Sequence, residues 1–378
     1  MTEFRNVTRL FSMEGATHLY SSDPAMLTPA DIYTARENPA VLAELQNCNL
    51  YLITRRFRIF INPEKFSFEG DTIIGEFLVR RLTGIASIPF KYKISQGAEP
   101  NDSRILDVVV NANGASMLVM TPVGTRHISV NVVVANAEST LIAEDTDMDV
   151  LYVGQGIGRK RSRTALDRLQ SHTTFQRILA ETSTYFPEWE VLVLLYRFEH
   201  GRTIISNGGD FNVEPQASDE QDSTHFNELR KVSLKRHQVV SLAEAALINY
   251  FKPRYNQLLK STSFAATKKI KVLEQLMRAG ITGLIVEICT VNLRSRIGTF
   301  DATPKELDEI MPEDWADGRN LEVQDRPEWL EYLMRMLHTH HAQYALTTPN
   351  ERESFLHGTV FNGQTERFNP WGGMKSEP

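Results

Sequence analysis

Closely spaced runs of β-branched and aromatic residues constrain the fold of this chain more than any other feature. Between residues 49 and 134 these runs are separated by Gly, Asn, Asp and Pro, which is the pattern of strands joined by turns. The predicted strands are Asn49–Ile61, Thr72–Val79, Ile88–Ile94, Ile105–Val110, Ser116–Met120 and His127–Val134. Residues 1–136 are therefore predicted to form a mainly-β domain with one early helix, from Thr28 to about Leu45.

From residue 137 onward, predicted strands and helices alternate. The strands are Thr140–Ala143, Val150–Gly154, Glu190–Phe198 and Leu284–Val291. The helices are Arg163–Glu181, which can break near His172–Thr174, followed by Ser241–Phe251 and Lys268–Ala279. A polar loop over residues 200–238 interrupts this order. The alternation predicts an α/β (α+β) domain over residues 137–300, with the polar loop inserted in it.

The last segment, residues 301–378, is predicted to be an acidic C-terminal extension. Residues 301–330 contain ten acidic and three basic residues. The whole chain has a formal net charge of −6, which argues against a general coat of positive charge. The two cysteines, Cys48 and Cys289, are too few for a disulfide framework or a cysteine-based zinc site. No apolar run approaches the ~20 residues of a membrane span. A cytoplasmic protein without a signal peptide is therefore expected, with no membrane association.

Four short motifs lie in strand–helix–strand–helix order between residues 150 and 260. They are Tyr152-Val153-Gly154, the pair Arg168 and His172, the glutamate Glu244, and Pro253-Arg254-Tyr255-Asn256. In this order they resemble the GIY-YIG nuclease family, over about residues 140–295. In that family a Tyr-Ile-Gly-like strand end precedes a helix with an arginine. A later helix carries a glutamate and closes with a Pro-x-x-Asn turn.

The resemblance implies a fold and an activity. The expected fold is a small central β-sheet flanked by helices, behind the mainly-β N-terminal domain. The expected activity is metal-dependent endonuclease cleavage of nucleic acid with Mg²⁺ or Mn²⁺, with DNA favoured over RNA. The family association also suggests a role in microbial or antiviral defence, or in a mobile element. The N-terminal domain and the acidic tail are then expected to select targets, contact a protein partner or form a homo-oligomer.

The resemblance also implies a role for each matched residue. Glu244 is expected to bind the metal ion, and Arg168 to hold a phosphate. Tyr152 and His172 are expected to position the attacking water and receive its proton. Gly154 and Asn256 are expected to order the site structurally.

The chemistry of these residue types is consistent with those roles. Cleavage of a phosphodiester requires positive charge near the phosphate, a positioned water and a route for its proton. Glutamate is a hard oxygen ligand of the kind that Mg²⁺ takes together with several waters. Arginine presents a planar fork to phosphate oxygens. A tyrosine or a histidine can orient or deprotonate a water molecule.

Basic residues near the motifs indicate contact with nucleic acid. Residues 159–177 contain six bases and one acid in a chain that is acidic overall. The predicted nucleic-acid contacts are Arg159, Lys160, Arg161, Arg163, Lys252 and Arg254. A solvated loop is the alternative explanation of the run from 159 to 163.

The sequence departs from the family pattern at the first tyrosine. The family carries that tyrosine on the strand before the Tyr-x-Gly strand, which here would be Thr140–Ala143, and no tyrosine lies between Tyr92 and Tyr152. Three explanations remain open: the tyrosine is replaced, a residue from elsewhere in the chain fills its place, or the activity is reduced.

Each candidate residue also has a structural alternative. Ser241 and Glu244 have the spacing of a capping box. Tyr152 can be an ordinary strand residue, Arg168 a solvated helix residue, and His172 a cap at a helix end. The corresponding alternative for the whole chain is a non-enzymatic nucleic-acid-binding or assembly protein that retains a degenerate nuclease scaffold.

Two further patterns are too incomplete to predict a site. The glycines at 154, 156 and 158 follow a strand, but they lack both the dinucleotide-binding spacing and the Lys-Ser/Thr of a P-loop. His338, His340 and His341 do not share one helical face, and no fourth ligand lies at a suitable spacing.

Overall fold

The computed structural model describes residues 10–94, 104–156, 164–198, 200–206, 214–256, 271–310 and 327–346, and two short strands beyond them. The strands are β1 Glu14–Tyr20, β2 Ala25–Leu27, β3 Leu50–Glu69, β4 Thr72–Arg81, β5 Gly84–Lys93, β6 Asp107–Val110, β7 Ser116–Thr121, β8 Gly124–Ser129, β9 Glu138–Ser139, β10 Met148–Gln155, β11 Trp189–Tyr196, β12 His200–Ser206, β13 Ile281–Cys289, β14 Ile297–Gly298, β15 Thr339–Ala345, β16 Val360–Phe361 and β17 Arg367–Phe368. The helices are α1 Asp31–Thr34, α2 Pro39–Leu45, α3 Val130–Asn136, α4 Ala143–Thr146, α5 Ala165–Gln170, α6 Thr173–Tyr185, α7 Asp219–Lys231, α8 Arg236–Phe251, α9 Lys271–Arg278, α10 Leu307–Ile310 and α11 Pro327–Leu337. The predicted mixed α/β class is confirmed.

The 20-residue strand β3 organises the largest sheet. Its first half lies between β10 and β11 and is antiparallel to both. Its second half pairs with β4, which continues to β5 and β9. The strand therefore belongs both to the sheet that contains the Tyr-x-Gly motif and to the β-rich part of the chain. The pairing thus crosses the domain boundary predicted at 136/137.

A second sheet lies on the other side of α8. It has four strands in the order β12-β1-β13-β15. Its core-facing residues Leu284, Val286 and Ile288 join α8 and one face of the large sheet in one apolar core. The other face of the large sheet packs on α5 and α6 through residues such as Leu169 and Phe175. Helix α8 is therefore buried between two sheets, while α5 and α6 form an outer layer.

The β-rich part has a core of its own. Strands β6, β7 and β8 form a three-stranded sheet, and its inward residues Met117 and Val119 pack with Phe77 of β4 and Val133 of α3. Arg56 of β3 links this part to the large sheet, because it is fully buried and its Nε lies 2.9 Å from Glu190 Oε1.

Two predicted elements in the first part of the chain are wrong. The helix predicted from Thr28 to Leu45 is two short helices, because Asn38 caps a new helix start and Pro39 occupies its first position. The strand predicted over His127–Val134 ends at Ser129, whose hydroxyl caps α3 by accepting a hydrogen bond from Val132 N. Packing against the β-rich core thus overrides the β-propensity of the valine run.

The predicted strand Thr140–Ala143 is also wrong. This segment leads into the short helix α4, whose buried Asp145 accepts two hydrogen bonds of 2.7 Å from Arg81. The antiparallel neighbour of β10 is β3 instead. The strand that pairs with the Tyr-x-Gly strand is therefore distant from it in sequence, and Thr140–Ala143 does not fill that place.

The predicted polar loop over residues 200–238 and the predicted C-terminal extension each contribute a strand to the four-stranded sheet. Residues 200–238 contain strand β12, which pairs with β1, and helix α7. Strand β15, in the predicted acidic extension, pairs with β13. Most of the acidic run itself, residues 311–326, lies outside the described residues. None of the described helices is long and apolar enough to cross a membrane.

Candidate functional site

Two tyrosines meet where β3 begins and β10 ends. The antiparallel register places Tyr51 opposite Gly154, beside Tyr152. The ring centroids of Tyr51 and Tyr152 are 6.2 Å apart with an interplanar angle of 25°. Tyr51 is fully buried, and within the described part of the chain its hydroxyl has no hydrogen-bond partner of good geometry. The sequence analysis missed Tyr51, although it lies in the predicted strand Asn49–Ile61.

Gly154 is required by the close approach of these two rings. A Cβ atom at this position would lie 2.6 Å from the Tyr51 hydroxyl oxygen and 2.7 Å from Tyr152 Cε1. Both separations are far below a normal contact, and a larger residue would displace the tyrosines. The structural role predicted for Gly154 therefore has a steric basis.

Glu244 is the one charged residue in the stretch from Val239 to Phe251 of α8. This stretch is apolar almost all round because the helix lies between two sheets. The helix begins at Arg236, where the Gln238 side chain accepts a hydrogen bond of 2.8 Å from Lys235 N. Glu244 therefore lies in the interior of the helix, and its interpretation as part of a capping box with Ser241 is wrong.

The Glu244 carboxyl faces the end of β10. Burial raises its pKa to about 7, against the opposing effects of Arg168 and of hydrogen bonds from the side chain and backbone of Gln155. The side chain is only partly buried, so an ion can reach it from solvent. The site thus contains a carboxylate whose negative charge is incompletely balanced by the protein.

Arg168, on α5, is the exposed cation of the site. Burial raises the pKa of Tyr51 and of Tyr152, whereas the guanidinium of Arg168 lowers both. The charge of Glu244 raises both tyrosine pKa values further. These mutual effects show that the two phenols, the guanidinium and the carboxyl form one electrostatic cluster, which we call the tyrosine–glutamate site.

His172 adjoins this site, but it is not on the helix that carries Arg168. Helix α5 ends at Gln170, and His172 is the N-cap of α6, where its Nδ1 accepts a hydrogen bond of 3.2 Å from Phe175 N. Arg168 and His172 are four residues apart in the sequence, a spacing that predicts one shared helix face. Because the helix breaks between them, that expectation is wrong. The predicted break in this helical stretch is confirmed.

The N-cap bond decides which nitrogen of His172 carries the proton. Burial and the neighbouring Arg168 lower its pKa, so the ring is neutral near pH 7. Because Nδ1 is the acceptor, the neutral ring carries its hydrogen on Nε2. His172 Nε2 is thus a hydrogen-bond donor, and the His172 ring centroid lies 5.0 Å from that of Tyr152.

Asn256 fixes the strand that carries Tyr152. Its side chain accepts a hydrogen bond from Val153 N and donates one to Val153 O, both of 2.9 Å. The preceding Tyr255 donates its backbone N–H to Leu151 O at 3.0 Å. The Pro-x-x-Asn turn therefore supplies hydrogen-bond partners to backbone groups of β10 on both sides of Tyr152.

The predicted nucleic-acid contacts divide into two groups. Arg159, Lys160, Arg161 and Arg163 lie outside the described residues. Lys252 and Arg254 are exposed in the turn after α8. Lys252 adopts a left-handed conformation at the helix end, and its ammonium lies 2.9 Å from Asp301 Oδ1. Its charge is consequently offset within the protein.

The described residues include no group of three or more His, Cys, Asp and Glu side chains arranged to hold a metal ion. Among His338, His340 and His341, His340 lies in the core between Tyr250 Oη and Ile297 O, at 3.0 and 2.7 Å. A metal ion at the tyrosine–glutamate site would have to be held by Glu244 alone among the described acids, together with water and substrate.

Comparison with known proteins gives no relative for this chain: no family model, curated protein or solved structure matches it.

Proposed function

We propose that this protein is a metal-dependent endonuclease of the GIY-YIG type, with nucleic acid, and DNA in preference to RNA, as its substrate. The observation that carries the proposal is the tyrosine–glutamate site itself. Glu244, the one acidic residue in the apolar stretch of α8, interacts electrostatically with Arg168 and with two tyrosines, one at the start of β3 and one at the end of β10. Such a group of residues has no evident use in folding, because desolvation of the partly buried Glu244 side chain opposes its ionisation.

Tyr51 supports the proposal because it supplies the tyrosine that the sequence pattern lacked. It lies on the antiparallel neighbour of the Tyr-x-Gly strand and is directly opposite Gly154. In this chain the β-rich part separates the two tyrosines along the sequence without separating them in space. Of the three explanations for the missing tyrosine, we therefore favour the one in which a residue from elsewhere in the chain fills its place.

The donor set fits a hard divalent cation. Mg²⁺ takes few protein carboxylates and keeps several waters, so one accessible glutamate is sufficient when substrate phosphate supplies further oxygens. Burial raises the pKa of Glu244 although Arg168 and Gln155 lower it, and a bound cation would favour the ionised form that burial disfavours. When bound, Mg²⁺ or Mn²⁺ would supply positive charge for the charge that develops on the phosphate.

The remaining residues bind and orient the phosphate. The exposed fork of Arg168 can donate to two phosphate oxygens. The tyrosine hydroxyls and His172 Nε2 are neutral donors at neutral pH, because burial raises both tyrosine pKa values and lowers that of His172. They can thus hold phosphate oxygens or the attacking water.

In the reaction, a water oxygen forms a bond to phosphorus, the bond to the leaving sugar oxygen breaks, and the water gives up a proton. His172 is a poor acceptor for that proton, since its Nδ1 is used by Phe175 N and its Nε2 already carries hydrogen. Tyr152 is the better candidate, because it is only partly buried. It can take this proton only as its phenolate, after its own hydroxyl proton has passed to solvent. Burial and Glu244 raise its pKa and oppose that loss, whereas Arg168 favours it. The leaving sugar oxygen takes a proton from solvent. We therefore assign proton transfer to Tyr152 rather than to His172.

Cleavage assays on supercoiled plasmid and circular single-stranded DNA test the proposal. With Mg²⁺ or Mn²⁺ the protein should nick or linearise DNA, and EDTA should stop the reaction. E244Q, Y51F and Y152F should each lower the rate at least ~100-fold, the low end for loss of a group that acts on the reacting atoms. E228Q is the matched control, because the Glu228 side chain on α7 is 56% exposed.

Two results would contradict the proposal. Cleavage by E244Q at the wild-type rate would show that the assigned site is wrong. Binding of DNA without cleavage, with either metal, would support the non-enzymatic nucleic-acid-binding alternative instead.

A further inference from the structure

Two arginines contact the ring of Tyr255, beside the tyrosine–glutamate site. The guanidinium carbons of Arg177 and Arg254 each lie 5.6 Å from the ring centroid. Glu181 accepts a hydrogen bond from the Tyr255 hydroxyl and forms an ion pair of 2.6 Å with Arg177. We call these four residues the arginine–tyrosine cluster.

The cluster is fixed relative to Tyr152. Tyr255 N donates to Leu151 O, and the Asn256 side chain bonds both backbone groups of Val153. These contacts hold Leu151 and Val153, the residues on either side of Tyr152. Arg177 also belongs to α6, the helix that His172 caps. A phosphate bound at the cluster would therefore have a defined position relative to the reacting phosphate.

The charges of the cluster indicate an anionic ligand. Arg177 and Arg254 face the same ring, and Glu181 supplies the cluster's one negative charge. Hydrogen bonds from Tyr255 and Arg177 lower the pKa of Glu181, so it remains ionised. Arg254 also acts on the Glu181 carboxylate electrostatically. Two guanidinium groups and one carboxylate give the cluster a formal net charge of +1, which favours an anionic ligand.

The arginines are accessible and already ordered. The Arg177 side chain is 65% exposed, and Arg254 is exposed as well. A guanidinium stacked on an aromatic face keeps its N–H edges available, and it loses less conformational freedom when it binds a phosphate. Residues 152–186 and 252–256 together contain eight bases and two acids, in a chain of net charge −6.

We propose that the arginine–tyrosine cluster binds the phosphate backbone of the nucleic-acid substrate next to the scissile bond. The cluster acts in substrate binding and does not touch the reacting atoms. This inference rests on the proposed nuclease function, and its test therefore measures binding separately from cleavage.

The experiment measures binding of fluorescent single-stranded and duplex oligonucleotides to the full chain by anisotropy, over a series of salt concentrations in EDTA. All variants carry E244Q so that no substrate is consumed. R177Q and R254Q should each weaken binding and lower the slope of log affinity against log salt, by about 0.9 on duplex and about 0.7 on single strands.

R230Q is the matched control, because Arg230 lies 5.7 Å from the ring centroid of Phe226 on the separate helix α7. Its slope should equal that of the parent. Y255F keeps the ring and should also leave the slope unchanged. Melting temperatures verify that each variant is folded.

Slopes for R177Q and R254Q that equal that of R230Q would overturn the inference and assign the cluster to local structure. DNA cleavage by the otherwise unmodified protein would then still stand, so the proposed function would survive. If the E244Q parent does not bind nucleic acid and the unmodified protein does not cleave it with Mg²⁺ or Mn²⁺, both proposals fail.

Discussion

Replacement of Glu244 by glutamine should stabilise the metal-free protein while it removes activity. Burial raises the pKa of Glu244 from its ordinary 4.5 to about 7. The folded state therefore holds this proton more tightly than the unfolded state does. The resulting stabilisation is fully present below pH 4.5, is lost as pH rises to 7, and is absent above that pH.

The size of this effect follows from the two pKa values. Each pKa unit corresponds to about 1.36 kcal/mol, which gives an upper limit of about 3 kcal/mol for the shift of Glu244. Because the side chain is partly exposed, screening reduces the expected effect to roughly 2 kcal/mol. Glutamine has nearly the same shape and does not ionise. E244Q should thus gain about 2 kcal/mol relative to the wild type between pH 4.5 and pH 8.

Melting curves of wild type, E244Q and E228Q in EDTA at several pH values measure this difference. The melting temperature of E244Q should rise relative to wild type by a few degrees as pH increases, whereas that of E228Q should not. Added Mg²⁺ should then stabilise the wild type above pH 7 but not E244Q. A pH-independent difference between E244Q and wild type would refute the assignment of Glu244 to a desolvated site.

Three further substitutions test other parts of the site. G154A should displace the Tyr51 ring, cost about 1–3 kcal/mol of stability and lower cleavage at least ~100-fold, as measured by unfolding and plasmid nicking. N256D should lower the free energy of unfolding by roughly 2 kcal/mol, because a carboxylate cannot donate to Val153 O. H172N keeps a capping acceptor, so the pH–rate profile of cleavage should keep its shape between pH 5.5 and 9. Loss of a limb near pH 6–7 in H172N would instead identify His172 as the base.

The sequence predicted the local features of the site well. The strand end at Gly154, the helix break at His172 and the turn before Asn256 all follow from short-range signals of glycine, capping and proline. These signals act within a few residues, and packing did not override them. The run Val130–Ala135 shows the opposite case, because its β-branched residues form a helix where the Ser129 cap and the β-rich core favour one.

The pairing of strands that are distant in sequence could not be predicted from the sequence. Tyr51 and Tyr152 are 101 residues apart, and neither periodicity nor turn signals specify which distant strands become neighbours. The nearer segment Thr140–Ala143 was favoured because it precedes β10 directly. The true start of α8 was missed for a related reason: Ser241 and Glu244 mimic a capping box inside a longer helix.

The continuous strand β3 explains how Tyr51 and Tyr152 can be neighbours in space although the β-rich part lies between them in the sequence. Tyr51 lies in its first half, which pairs with β10 and β11, and residues 58–69 pair with β4. Arg56, at the junction, is fully buried and bonds Glu190 of β11 and Asn131 of α3. Rotation of the β-rich part about β3 would break the hydrogen bond from the Arg56 guanidinium to Asn131, at a cost of about 1.5–3 kcal/mol for a bond to a charged group. The β-rich part is therefore held in a fixed orientation to the strand that carries Tyr51, and the two tyrosines remain opposed despite the residues between them.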